Sequence, residues 1–195
     1  MSEQNYDYEF HPLTPERWSD LEKLFGERGA TGGCWCMWWR MKQSDFDAQK
    51  GDGNRTLFRG IVDSKALPGI LAYVDAEPAG WCAIAPRAEY SRLERSRIFK
   101  PVDENPVWSV TCFFVAKPYR KQGLTVKLLQ AAVDFAAEQG AQIVEGYPVE
   151  PKDENAVDVF VFPGLASAFR QAGFVEVERR SETRPMMRYY IGDKN

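Results

Sequence analysis

Between Lys117 and Thr125 the chain reads KPYRKQGLT, which places Lys117, Arg120 and Lys121 just ahead of Gly123. Positive side chains beside a glycine suit the binding of an anion. Arg grips a phosphate through two parallel hydrogen bonds, and glycine removes the side chain where a ligand would approach the backbone. What flanks the turn strengthens this reading. Before it runs an apolar segment, Val107 to Ala116, with the pattern of a strand buried on both faces. After it, Leu124, Leu128, Ala132 and Phe135 recur at helical spacing, and Lys127, Gln130, Asp134 and Glu138 form the opposite polar stripe. A helix that starts straight from such a turn has first-turn N–H groups without intrahelical partners, at the positive end of its dipole. Phosphate or diphosphate is the expected ligand. A nucleotide P-loop would need Lys and Ser or Thr after the glycine, and a dinucleotide fingerprint would need three glycines; Leu124 and Thr125 follow a single Gly123 here.

Other reactive residues are few. His11 is the chain's single histidine, near the N-terminus, which excludes a site built from several histidines and leaves a strand-end role as the expectation. The four cysteines are Cys34, Cys36, Cys82 and Cys112. The one-residue gap in CWC is tighter than zinc-site spacing and no second pair completes a site, so no metal is expected and the pair reads as thiols packed among aromatics. Arg87, Arg92, Arg95, Arg97 and Lys100 crowd a proline-bounded stretch with Glu89 and Glu94, and read as a solvated loop with a short helix, with a basic rim beside a ligand entrance as the alternative.

Composition bounds the rest. The chain has 195 residues, 44% hydrophobic and 27% charged, with a net charge of −3, so it lacks the basic excess of a nucleic-acid binder. No apolar run of membrane-spanning length occurs, and the polar start MSEQNYDYEF is unlike a signal peptide, so a cytoplasmic protein with reduced thiols is expected.

Along the chain, YDYEFHPL reads as a first strand. A helix follows, with Thr14 as its cap, Pro15 in its first turn, Trp18, Leu21 and Phe25 inward, and Gly26 at its stop. The aromatic run TGGCWCMWWRMK reads as core or as a pocket wall. A second helix is expected from Asn54 as cap to Pro68-Gly69, with Leu57, Phe58, Ile61 and Val62 inward. A hairpin turning at Asp75 to Pro78 follows, then the Val107 strand, the turn and its helix. AQIVEGYPVE is the next strand, joined to the Val107 strand by a parallel crossover. A loop, the short helix LASAFRQAG, and a closing strand pair (FVEVERR with PMMRYYI) complete the order.

The stretch FFVAKPYRKQGLTVKLLQAAVDFAAEQGA resembles the coenzyme-A-binding core of the GNAT N-acetyltransferase superfamily. Its signature is Gln or Arg, two residues, Gly, one residue, then Gly or Ala. Arg120 and Gly123 match, and Thr125 stands at the small-residue place. The order of elements and the ending FRQAGF are similar as well. The resemblance implies one domain over residues 1–195. It implies an α/β (α+β) fold with a mixed, largely antiparallel sheet of six to seven strands and about four flanking helices. It implies acetyl-CoA as co-substrate, with Phe113, Phe114 and Val115 offering backbone groups to the pantetheine arm. Arg120, Lys121, Gln122, Gly123, Leu124 and Thr125 would then cradle the diphosphate.

Direct acyl transfer needs a neutral amine, a polarised thioester and a stabilised thiolate. The resemblance puts a tyrosine acid four residues before the glycine of Gly-Phe, where this chain has Phe169. Glu145 is the candidate base and Tyr147 the substitute donor, both on the strand expected beside the acceptor. The acceptor is a small-molecule or protein amine. An acidic loop (Glu150, Asp153, Glu154, Asp158) would attract a cationic one, and Trp35, Trp38 and Trp39 would wall an apolar one. Two other functions stay open: a coenzyme-A-binding sensor without activity, and a protein for another phosphorylated ligand. A homodimer through the closing strands fits the resemblance.

Overall fold

The computed structural model describes residues 6–152 and 162–192. Their strands form one sheet: β1 (Glu9–Pro12), β2 (Gly69–Val74), β3 (Glu77–Pro86), β4 (Trp108–Val115), β5 (Ile143–Gly146), β6 (Val175–Glu178) and β7 (Met186–Tyr190). The order across it is β1-β2-β3-β4-β5-β7-β6. All neighbours are antiparallel except β4 and β5, which run parallel as the strand–helix–strand order requires. This is the mixed, largely antiparallel fold expected from the sequence, with seven strands. The helices are α1 (Trp18–Phe25), α2 (Gln43–Ala48), α3 (Asp52–Asp63), α4 (Ser91–Glu94), α5 (Leu124–Glu138) and α6 (Ala166–Gln171). The short α2 adds to the expected set, and α4 is the short helix expected in the charged stretch around Arg92. Among the described residues no helix is long and apolar enough to cross a membrane.

Alternation along β3 divides the core. Cys82 and Ile84 face α5, whose Leu124, Leu128, Ala132 and Phe135 are all buried there. Trp81 and Ala83 face α1, α3 and the aromatic segment that follows α1. At the far end of that second face, Trp39, Ala85, Tyr90, Leu93, Phe99 and Tyr147 form a smaller cluster. The β2–β3 hairpin turns on Asp75 and Ala76, both at positive φ.

Four local expectations are corrected. Asn54 caps nothing: it lies inside α3, fully buried, and its Nδ2 donates to the Gly33 carbonyl. Leu57 points outward at 42% exposure, while Phe58 and Val62 are buried. The helix stops at Asp63, ahead of Pro68-Gly69. Thr14 precedes a 3₁₀ turn (Pro15–Arg17) and makes no side-chain capping bond.

Phe169, on α6, is fully buried and lies edge-on to Phe113 and Phe174. Its ring presses on Gly146 of β5, where a Cβ would meet Cε1 at 2.1 Å. Gly146→Ala is therefore expected to destabilise the fold by about 1–3 kcal/mol, the usual range for overpacking. Phe169→Leu in the same chain should recover part of that loss, read as the shift in urea midpoint.

Candidate active site

Strands β4 and β5 share three register pairs, Trp108 with Val144, Ser109 with Glu145 and Val110 with Gly146. Beyond them the strands part. A register shift between β3 and β4 marks a bulge at Thr111, where the separation begins. The outer edge of β4 past this point is unpaired strand, and its backbone groups need partners.

The structure shows where they go. The Phe113 N–H donates to the Phe162 carbonyl at 2.6 Å, and the Ala116 N–H turns back to Ala79 of the β3 side. Alternation then directs Phe114 toward β3 and the Val115 N–H into the gap. So of the three residues expected to receive a pantetheine arm, Phe114 offers its backbone to β3, Phe113 is occupied by Phe162, and Val115 remains. The Val115 carbonyl accepts from Arg120 Nε at 2.9 Å.

That bond braces the turn where the sequence leads one to expect an anion. Arg120 is anchored by Nε, and its two Nη groups have no acceptor among the described residues. Gly123 caps α5 at φ +75, with no atom within 4 Å of where a Cβ would stand. Both facts call for glycine: the backbone is left-handed, and the space above it is open. Among the described residues, the N–H groups of Gln122, Gly123, Leu124 and Thr125 donate no backbone hydrogen bond outside the helix. The Gln122 side chain braces the turn by donating to the Pro118 carbonyl at 2.8 Å. Lys121 sits in the same turn at φ +60. Arg120, Lys121, Gln122, Gly123, Leu124 and Thr125 thus form one contiguous N-terminal turn.

Glu145 and Tyr147 come together on the other side of the gap, fully buried. One Glu145 oxygen accepts from Tyr147 Oη at 2.7 Å and Arg87 Nη1 at 3.2 Å; the other accepts from Arg188 Nε at 2.8 Å. Tyr147 Oη also accepts from Arg87 Nη1 at 2.8 Å and lies 2.9 Å from Ser109 Oγ. Burial and the adjacent Glu145 charge push the phenol well above its ordinary value, so it keeps its proton, and that proton points at Glu145. Arg188 in turn holds Asp103 by two bonds of 2.6 and 3.1 Å, which brings that carboxyl down to about 2. Arg87 closes the network through Glu94 and the carbonyls of Phe99 and Leu93. Arg87 is thus buried at the centre of the site rather than solvated on a loop, contrary to the sequence expectation.

On the same face lies a cavity of about 480 Å³, bordered by Trp38, Trp39, Phe46, Cys112, Phe114 and Phe162. Trp35 does not reach it, being stacked on Trp18 in the core. The cysteines are free, and Cys36 Sγ accepts from Trp81 Nε1 at 3.0 Å. Glu150 is paired with Arg170 and Arg179; the acidic positions 153, 154 and 158 lie outside the described residues.

Residues 35–161 match the acetyltransferase (GNAT) family, which spans more than half of the sequence, and the chain belongs to that family. Solved structures share the fold. The PaiA N-acetyltransferase of Thermoplasma acidophilum, in complex with coenzyme A, is 14% identical at a TM-score of 0.52, covering 94% of this chain and 99% of its own. A GNAT-family acetyltransferase from Listeria monocytogenes 4b F2365 is 9% identical at a TM-score of 0.60, covering 98% and 99%. The aminoglycoside acetyltransferase AAC(6')-Ib, with coenzyme A and kanamycin, is 15% identical at a TM-score of 0.51, covering 95% of each chain. No curated protein matches.

Removing one partner of a buried ion pair leaves an uncompensated charge, so Arg188→Met should cost about 3–5 kcal/mol. Adding Glu145→Gln should return most of it, measured by denaturant unfolding. Asp103 supplies a pH signature. Its folded pKa is depressed, so its stabilisation is full above the ordinary value of 3.8 and fades as pH falls toward about 2. Asp103 is 38% exposed, so the effect is modest: the melting temperature of Asp103→Asn should lie a few degrees or less below that of the natural chain at pH 6 and approach it at pH 2.

Proposed function

We propose that the protein is an acetyl-CoA-dependent N-acetyltransferase that passes its acetyl group directly to an amine. One observation carries the reading: the N–H groups of Gln122 to Thr125, which donate no backbone hydrogen bond among the described residues, stand beside an open glycine and the anchored guanidinium of Arg120, just past the end of β4. Such a turn binds a diphosphate through backbone donors and the helix dipole. The Val115 N–H then receives the pantetheine arm, with Phe162 giving up Phe113 or bounding the arm beside it. The thioester comes to the parting of the strands, next to the apolar cavity.

The chemistry follows from that placement. The neutral amine nitrogen bonds to the thioester carbon, the C–S bond breaks, and coenzyme A leaves as thiolate. The proton shed by the amine passes to solvent or to the thiolate. Glu145 already accepts three hydrogen bonds and Tyr147 has committed its proton, so we assign both a positioning role at the base of the gap. Either would serve as base or acid only after exchanging partners. A second reading, a coenzyme-A-binding sensor, is favoured by Phe169, since a buried phenylalanine supplies no proton where the resemblance puts a tyrosine.

Acetyl-CoA at a hundred times its dissociation constant is expected to stabilise the protein by about 2.7 kcal/mol in thermal unfolding. Arg120→Glu should abolish that shift while leaving the unliganded melting temperature nearly unchanged, because the side chain is exposed. Thiol release should follow addition of an amine. A shift given by nucleotides and not by acetyl-CoA would overturn the proposal, and acetyl-CoA binding without turnover on any amine would favour the sensor.

A further inference from the structure

Resting on that reading, the cavity beside the strand opening specifies which amine the site takes. About 480 Å³ is the size of a small-molecule pocket. Its walls are aromatic side chains, notably Trp38, Phe46, Phe114 and Phe162, together with the thiols of Cys34, Cys36 and Cys112. Burial pushes the Cys34 thiol up to about 11. The Cys112 thiol, hydrogen-bonded to Cys36 and buried, is also raised, so these two carry no charge at neutral pH. Among the described residues that border the cavity, Lys50 is the single charged one, and none is a carboxylate.

The wall is also backed by cations. Arg92 stacks on Trp38 with its guanidinium carbon 3.7 Å from the ring centre. The Arg40 side chain is only 4% exposed, and its Nε and Nη2 have no acceptor among the described residues. The carboxylates facing these groups are Glu89, 3.4 Å from Arg40 Nη1, and Asp47 near Arg92. Neither borders the cavity. The segment is held in place at conformational cost: Trp35 and Cys36 are consecutive non-glycine residues at positive φ, a form of strain that gathers at functional sites.

We infer that the acceptor is a monoamine on an aromatic or bulky aliphatic body, with any additional charge negative and turned toward Lys50. A polycation would bring further charges against apolar walls and guanidinium groups, with no carboxylate to meet them among the described residues that border the cavity. An apolar body fits the walls. Transfer of the ammonium group into such surroundings favours its neutral form, the form that attacks a thioester. The cavity thereby lowers the amine's affinity for its proton, which leaves to solvent, in a site whose buried carboxylate is already committed to Arg87, Arg188 and Tyr147.

The test uses the full chain saturated with coenzyme A, titrated with 2-phenylethylamine, phenylalanine and spermidine, with intrinsic tryptophan fluorescence as the binding readout. Thiol release from acetyl-CoA is followed in parallel. The two aromatic amines should bind and react at least tenfold better than spermidine. Thr31→Trp should lower kcat/KM for them at least tenfold without changing coenzyme A affinity. Thr31 borders the cavity, is exposed and has extended backbone (φ −94, ψ 101), so it accepts a large side chain and fills the space. Lys50→Met should weaken phenylalanine more than 2-phenylethylamine. Preference for spermidine, absence of aromatic-amine binding to the coenzyme-A-loaded protein, or indifference to Thr31→Trp would each overturn the inference. So would a flat amine panel with hexanoyl-CoA preferred to acetyl-CoA, since the cavity would then house the acyl chain. Failure of coenzyme A itself to bind would instead overturn the transferase reading beneath it.

Discussion

Two neighbouring parallel strands pair for three residues and then part, and the site is a consequence of that interruption. A sheet ladder normally continues, because every buried N–H and C=O must find a partner. Here β4 bulges at Thr111, and its outer edge turns to other partners: the Phe162 carbonyl for Phe113, and the Arg120 guanidinium for the Val115 carbonyl. The wedge is kept open by volume on one face, where the rings of Phe113 and Phe169 crowd the backbone of Gly164 and Gly146. On the other face it is kept open by the network around Glu145.

That network is a poor investment in stability alone. Burying three charged groups costs several kcal/mol each before their mutual attraction is counted, and well-packed apolar residues often do as well. Its geometry suggests a different use. Glu145 sits on β5, Arg188 on β7, Tyr147 just past β5, and Arg87 with Asp103 on the two ends of the segment between β3 and β4. Directional bonds from one carboxylate therefore fix four parts of the chain around the base of the gap. An apolar cluster would hold them together without fixing their angles.

Much of this was legible in sequence where the signal is local. The α5 stripe, the turn around Gly123 and the sheet order follow from period, spacing and element order, each contained within a few dozen residues. The failures share one cause. Arg87 looks like any cation in a proline-bounded charged stretch, and its distinguishing partner is Glu145, 58 residues away. Asn54 has the residue type of a cap, yet its amide is claimed by Gly33, 21 residues back. Glu145 reads as a free base because nothing near it in sequence announces two arginines. Leu57–Ile61 and Phe58–Val62 are equally good i, i+4 pairs, so only the packing of the folded chain turns Leu57 outward. Trp35, Trp38 and Trp39 read as one group, but only the fold sends Trp35 into the core and the other two to the cavity wall.

The charge distribution completes the account. A chain of net charge −3 places cations at both ends of one gap: Arg120 and Lys121 at the helix start, and Arg40, Arg92 and Lys50 about the cavity. Acyl transfer from a thioester begins with a neutral nucleophile and ends with an anionic leaving group. Among the described residues that border the cavity none is a carboxylate, and positive surroundings oppose an ammonium ion at the start and favour a thiolate at the end. On the proposed reading, this arrangement favours the neutral nucleophile before attack and the departing thiolate after it, and the proton that nitrogen sheds as the C–N bond forms passes to solvent or to the thiolate.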